Sequence, residues 1–121
     1  MKIHILTLFP EMISPSLEVS ILGRAAKSGD VDFNIVDIRQ YSVDKHRRAD
    51  DSPFGGGAGM ILTPQPIFSA LKSLEAEKKK CIYMSARGRM LDKELLCELA
   101  DIGREGKELV ILCGHYEGVD E

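Results

Sequence analysis

Several features are scarce in this sequence, and each scarcity removes a class of function. No run approaches the roughly 20 apolar residues that a bilayer span requires. The opening Met1-Lys2-Ile3-His4-Ile5-Leu6-Thr7-Leu8 is too short and polar-interrupted for a signal peptide, and no small-residue cleavage site follows it. A cytoplasmic protein without a membrane partner is the natural reading. Cysteine is limited to Cys81, Cys97 and Cys113, an odd count without a CxxC pair, which argues against a disulfide framework and against zinc. Each thiol lies among apolar neighbours and reads as a small buried hydrophobe in a reducing compartment. Positive charge is not in excess, since 16 Lys and Arg face 19 Asp and Glu for a net −3. A general nucleic-acid coat is thereby excluded, and any such contact must come from a local patch. The best patch is Lys45-His46-Arg47-Arg48, flanked by Asp44 and by Asp50-Asp51, which blunt its field. On charge alone it reads as a solvated loop.

What is present suits one compact α/β domain over residues 1–121. Hydrophobic residues make up 44% and charged residues 29%, enough apolar material for a core. Lys2 to Leu8 is strand-like, and Val31 to Ile38 alternates at Val31, Phe33 and Ile35. Between them, Ser14-Pro15 reads as an N-cap followed by proline at the first helical position. Leu17, Ile21 and Ala25 give that helix one apolar face, and Gly29 is its expected stop. Residues 40–59 break the rhythm, being charged and then glycine-rich. So long an irregular stretch is uncommon inside a domain and is usually functional or disordered. Met60 to Leu62 is a short strand. Thr63-Pro64 opens a helix with Ile67, Leu71 and Leu74 on one face and Lys78-Lys79-Lys80 at its C-terminal end. Cys81 to Met84 is a strand, and Asp92 caps a helix carrying Leu95, Leu99 and Ile102 that Gly103 ends. Leu109 to Cys113 reads as a strand buried on both faces. The alternation predicts a mostly parallel sheet with helices on both faces.

Ligands of such sheets gather beyond the carboxyl ends of the strands, where three unusual segments fall. The first is Pro53-Phe54-Gly55-Gly56-Gly57-Ala58-Gly59-Met60, whose glycines permit close backbone approach at a large ordering cost. It lacks the Gly-Lys-Ser/Thr of a Walker A loop and is not placed as a dinucleotide fingerprint. The second, Tyr83-Met84-Ser85-Ala86-Arg87-Gly88-Arg89, is a strand end entering a small polar turn. By itself it reads as an ordinary connection. The third, Cys113-Gly114-His115-Tyr116-Glu117-Gly118-Val119-Asp120-Glu121, sets an imidazole, a phenol and a carboxylate between glycines. Glu117 could accept a proton or bind a cationic group, although a polar surface loop explains the segment equally well. On residue chemistry alone the conclusion stops at an α/β domain with a ligand site built from glycine-rich loops.

Taken together, the triple-glycine segment, Ile82-Tyr83-Met84-Ser85-Ala86-Arg87-Gly88 and Leu112-Cys113-Gly114-His115-Tyr116-Glu117-Gly118-Val119-Asp120-Glu121 closely resemble the TrmD-type tRNA (guanine-N1)-methyltransferases of the knotted SPOUT class. Leu8-Phe9-Pro10-Glu11-Met12 and the stretch Asp44 to Asp51 are similar to that family as well, so the likeness runs along essentially all 121 residues. The resemblance implies an α/β sheet whose C-terminal part threads into a trefoil knot, a feature too rare to propose from pattern. It implies S-adenosylmethionine as cofactor, tRNA as substrate with methylation at N1 of the guanosine 3′ of the anticodon, and a homodimer with active sites at the subunit interface. Carried over by position, Tyr83, Met84, Ser85, Ala86, Gly114, Tyr116 and Gly118 would line the cofactor pocket, and Glu117 would face the reaction centre. Pro53, Gly55, Gly56, Gly57 and Gly59 would approach the target guanosine or the tRNA, and Arg47 and Arg48 would hold its phosphates. His115 stands where many relatives carry arginine, Phe54 where many carry tyrosine, and Ala86 where proline is common. The family is associated with magnesium, for which this sequence shows no dedicated site. The knot-forming region is expected to be truncated at the C-terminus. The aspartate expected as general base and the domain that grips tRNA would lie beyond residue 121, so these residues alone are expected to give negligible methyl transfer and weak cofactor binding. A non-catalytic nucleotide- or RNA-binding module is the alternative. A phosphate-transfer enzyme using the triple-glycine loop is a third reading, which the lack of an adjacent lysine counts against.

Overall fold

The computed structural model describes residues 1–51 and 61–114, leaving aside the side chains of Asp50, Asp51 and Ile61. Four parallel strands form the main sheet: β1 (Lys2–Thr7), β2 (Asp32–Asp37), β5 (Lys80–Met84) and β6 (Leu109–Cys113), in the order β2-β1-β6-β5. Two short strands, β3 (Asp50–Asp51) and β4 (Ile61–Leu62), pair antiparallel beside it. The helices are α1 (Pro10–Leu17), α2 (Ser20–Ser28), α3 (Pro64–Ser73) and α4 (Lys93–Arg104). The mostly parallel α/β architecture expected from the sequence is the observed one.

Strand alternation divides the side chains between two faces. His4, Leu6, Asn34, Val36 and Val110 share one face, against which Ile67 and Ala70 of α3 pack together with Ile38, Ala49, Leu62 and Ala76. Ile3, Ile5, Phe33, Ile35 and Ile111 share the other. Phe33 and Ile35 there line a groove with Ser14 and Leu17 of α1 and Gly23, Ala26 and Lys27 of α2, so helices flank both faces.

Several boundaries differ from the sequence expectation. The first helix starts at Pro10 rather than behind a Ser14 cap, with Pro10 as the early proline. The Phe9 N–H donates to Thr7 Oγ1 at 3.1 Å. Pro15 therefore lies inside α1, where it brings no N–H to the ladder, and α1 gives out at Leu17. The expected single helix is thus two. At the junction Gly23 is required, because a Cβ there would come within 2.2 Å of the Glu18 carbonyl oxygen. Gly29, with φ 85°, closes α2 as expected. Helix α3 ends at Ser73, so Lys78-Lys79-Lys80 do not sit at its terminus. A left-handed Glu75 and a 3-10 turn over Ala76–Lys78 intervene, and Lys80 already belongs to β5. Asp92 caps α4 as expected, its Oδ1 accepting the Leu95 N–H at 2.8 Å. Gly103, however, stays within α4 and seats Met1, while Gly106 at φ 78° follows the helix end.

Burial also departs in places from what the apolar runs suggest. Leu109 and Val110 are buried, but Ile111, Leu112 and Cys113 are only half-buried, so β6 is enclosed at its start and open at its end. Cys81 and Cys97 are exposed and Cys113 half-buried, so the thiols are not core residues. Strand β5 is an edge strand, and an edge turns even apolar positions toward water. Within residues 40–51 lie the end of a 3-10 turn over Ile38–Tyr41 and strand β3.

Candidate functional site

All four long strands run the same way, so their carboxyl ends open at one end of the sheet. There Met84 pairs with Cys113, which makes Ser85 and Gly114 neighbours just past the last ladder position. The Tyr83 ring lies across Gly114, and a Cβ added to that glycine would meet Tyr83 Cε2 and Oη at 3.3 Å each. The glycine therefore leaves room for the ring. Ser85 closes the turn that follows, its Oγ accepting the Arg87 N–H at 3.2 Å and its carbonyl accepting the Gly88 N–H at 3.2 Å. Tyr83 is 44% and Met84 56% exposed, and Ser85, Ala86 and Gly114 are exposed as well. The Tyr83 ring and the bare backbone of Gly114 thus meet at the exposed end of β5 and β6, while Met84, the next residue of the strand, projects from the opposite face. Burial pushes the neighbouring Cys113 thiol above its ordinary value of 9.0, which keeps it protonated and poorly nucleophilic.

At the same end, β2 leads into the 3-10 turn and the basic loop. Asp37 caps that turn by accepting the Arg39 N–H at 3.0 Å, and the Arg39 guanidinium lies 5.7 Å from the centroid of the Phe9 ring. Arg47 and Arg48 follow, both exposed. Strands β2 and β5 are opposite edges of the sheet, roughly 14 Å apart by strand spacing. The structure therefore brings Tyr83, Met84, Ser85, Ala86 and Gly114 to the adjoining ends of β5 and β6, and carries Arg47 and Arg48 on the loop that follows β2. Tyr116, Glu117 and Gly118, and likewise Pro53, Gly55, Gly56, Gly57 and Gly59, lie outside the described residues.

Asp44, which reads from sequence as blunting the basic patch, does so by direct contact. In the structure it holds Arg48 through a two-oxygen contact, at 3.2 and 3.3 Å. That guanidinium and the backbone N–H groups of Arg48 and His46 hold the Asp44 carboxyl down to about 2. The only sequence signal was the four-residue spacing from Asp44 to Arg48. Gln65, whose side chain links α3 to Tyr41 and Val43, carried none.

The comparisons with known proteins bear on all of this. The whole chain, residues 1–121, matches the family profile described as tRNA (Guanine-1)-methyltransferase TrmD. The chain belongs to the TrmD family. It is 52% identical to the tRNA (guanine-N(1)-)-methyltransferase of Clostridium acetobutylicum, over 100% of this chain and 48% of that protein. With its counterpart from Fusobacterium nucleatum the identity is 50%, again over 100% of this chain and 48% of the relative. The solved tRNA (m1G37) methyltransferase from Aquifex aeolicus superposes with a TM-score of 0.86 at 33% identity, covering 100% of this chain and 54% of that one. The SPOUT-type fold expected from the resemblance is therefore the fold found. The chain spans about half the length of the curated relatives it matches. Their descriptions lend no support to the binding-module or phosphate-transfer readings. Among the described residues no helix is long and apolar enough to cross a membrane.

Proposed function

We propose that this TrmD-family chain forms the cofactor-binding end of a tRNA (guanine-N1)-methyltransferase, one that methylates N1 of the guanosine 3′ of the anticodon, position 37. The observation that carries the reading is the contact of Tyr83 with Gly114 where β5 and β6 end side by side, with Met84, Ser85 and Ala86 following at the same strand end. Their chemistry fits S-adenosylmethionine: a flat aromatic and a thioether suit an adenine and an aliphatic sulfur chain, and glycine lets a ligand reach backbone groups. When bound, the cofactor supplies an already activated methyl group, so what remains for the chain is alignment of donor and acceptor. Guanine N1 bears a proton and must lose it to become a good nucleophile. A carboxylate is the expected acceptor. Glu117 faces the reaction centre in this reading, supporting a general base carried elsewhere in the full-length protein. Tyr116 and Gly118 complete the cofactor pocket, while Pro53, Gly55, Gly56, Gly57 and Gly59 approach the target guanosine. Arg47 and the loop around it meet tRNA phosphates. A trefoil knot, a homodimer with interfacial active sites and a cytoplasmic location belong to the same reading.

The test follows labelled methyl transfer from S-adenosylmethionine to a tRNA transcript, using the full-length protein that carries this chain. A transcript with guanosine 3′ of the anticodon accepts label, and the same transcript with adenosine there does not. Label on neither transcript overturns the reading, and equal label on both overturns its specificity for guanine.

A further inference from the structure

We propose that Asp44 is the positioning residue of the loop 42–48, and that its grip on Arg48 divides the labour between two arginines: Arg48 clamps the loop, and Arg47, with Lys45 and His46, meets RNA phosphates. This rests on the reading that the loop touches tRNA.

The loop is closed by its own side chains. Asp44 Oδ2 accepts the N–H of His46 at 2.8 Å and that of Arg48 at 3.2 Å. The same oxygen accepts Arg48 Nε at 3.3 Å, and Oδ1 accepts Nη2 at 3.2 Å. The Asp44 carbonyl accepts the Arg47 N–H at 3.0 Å. Ser42 ties the ends together: its Oγ donates to the Arg48 carbonyl at 2.6 Å and accepts the Asp44 N–H at 3.1 Å. From α3, Gln65 Oε1 accepts the Val43 N–H at 3.1 Å and Nε2 donates to the Tyr41 carbonyl at 2.8 Å. The loop is thereby pinned to the buried part of the molecule.

Two consequences follow. First, Arg47 is held at φ 54°, a left-handed conformation that a non-glycine residue adopts at a cost and that its surroundings must impose. Around it the Arg47 N–H donates to the Asp44 carbonyl and Nη1 to Gln40 Oε1, and the residue stays exposed. Second, Arg48 presents its Nε and Nη2 edge to Asp44, the same fork that would take a phosphate side-on. A phosphate could use that edge only by displacing the carboxylate. The two neighbouring arginines, alike in sequence, are therefore unlike in place.

The test measures tRNA affinity of the full-length protein across a salt series, for wild type and for Arg47→Gln, Arg48→Lys, Asp44→Asn and the Asp44→Asn/Arg48→Lys double variant. Arg47→Gln should weaken binding and lower the slope of log affinity against log salt by about 1, the loss of one phosphate contact. Arg48→Lys keeps the charge but loses the fork. It should weaken binding at least about fivefold, match Asp44→Asn, and leave the double variant no weaker than either single one. A lysine at 48 that binds like wild type, or losses at 44 and 48 that multiply in the double variant, overturns the clamp. An unchanged slope in Arg47→Gln overturns the assignment of the contact. If wild type shows no salt-dependent tRNA binding, the tRNA reading itself falls and takes this proposal with it.

Discussion

The two faces of the main sheet are built from similar strands and finished differently. On the α3 side, Leu6, Ile38 and Leu62 are 0% exposed and Val110 is 1% exposed, and α3 buries Pro66, Ile67 and Ala70. On the other side, α1, α2 and α4 together bury a single residue, Gly23, while Ile21 is 70% and Leu96 52% exposed. Yet α2 and α4 carry apolar stripes at helical spacing as clear as that of α3. An apolar stripe shows which way a helix would face, and says nothing about how much protein lies in front of it. The α3 face is a closed core, and by area burial it supplies most of the hydrophobic stabilisation.

That contrast breaks first, and most visibly, at Leu6. Truncating a fully buried leucine removes its transfer energy and leaves a cavity, so Leu6→Ala should destabilise the fold by about 3 kcal/mol, read from equilibrium urea unfolding. That is a large share of a domain's typical stability. A loss below about 1 kcal/mol would mean that the α3 face is no better packed than its opposite.

A middle-sized effect lies at the polar margin of the same face. His4 is 4% exposed and sits between Asn34 Nδ2, 2.8 Å from its Nδ1, and Glu108 Oε1, 3.0 Å from its Nε2. An amide nitrogen can only donate, so His4 Nδ1 accepts and Nε2–H donates to Glu108. The bond from His4, reinforced by Lys79 at 3.4 Å, holds the Glu108 carboxyl below its ordinary value of 4.5. A depressed carboxylate stabilises the fold above its unfolded value, and that stabilisation disappears as pH falls through the folded one. Glu108→Gln should therefore cost about 1 kcal/mol at pH 7. The gap to wild type should close as pH drops below 4.5 in a series of unfolding curves. A gap that is constant with pH would assign the effect to packing instead of charge.

These differences explain which parts of the molecule could be read in advance. The four parallel strands were legible because alternation and β-branched content are local properties. The capped start of α4 was legible because Asp92 serves its own helix. The α1–α2 break was not, since Pro10 and Pro15 are each acceptable first-turn prolines, and the close approach of Gly23 to the Glu18 carbonyl at the junction is a contact that no local pattern announces. The exposed thiols were misread because apolar neighbours in sequence become buried only if something covers them. At the site, the meeting of Tyr83 and Gly114 follows from two strand ends lying side by side, which strand order alone decides. At the loop of Asp44 the blunting of the basic patch was legible from charge, but the hydrogen bonds by which Asp44 organises the loop were not, because counting charges carries no geometry.

The smallest effect sharpens the comparison from the other side. Leu96 stands on α4, a helix with no fully buried residue, and is itself 52% exposed. Leu96→Ser gives up little burial, and serine is only slightly poorer than leucine as a helix former. The expected change in unfolding free energy is within about 0.5 kcal/mol, measured by the same urea titration as Leu6→Ala. A loss above about 1 kcal/mol would show that the apolar stripe of α4 is packed in solution, and the two faces would then differ in degree only. The difference between the two losses is the more informative number, since an unfolded-state contribution common to both leucines cancels in it.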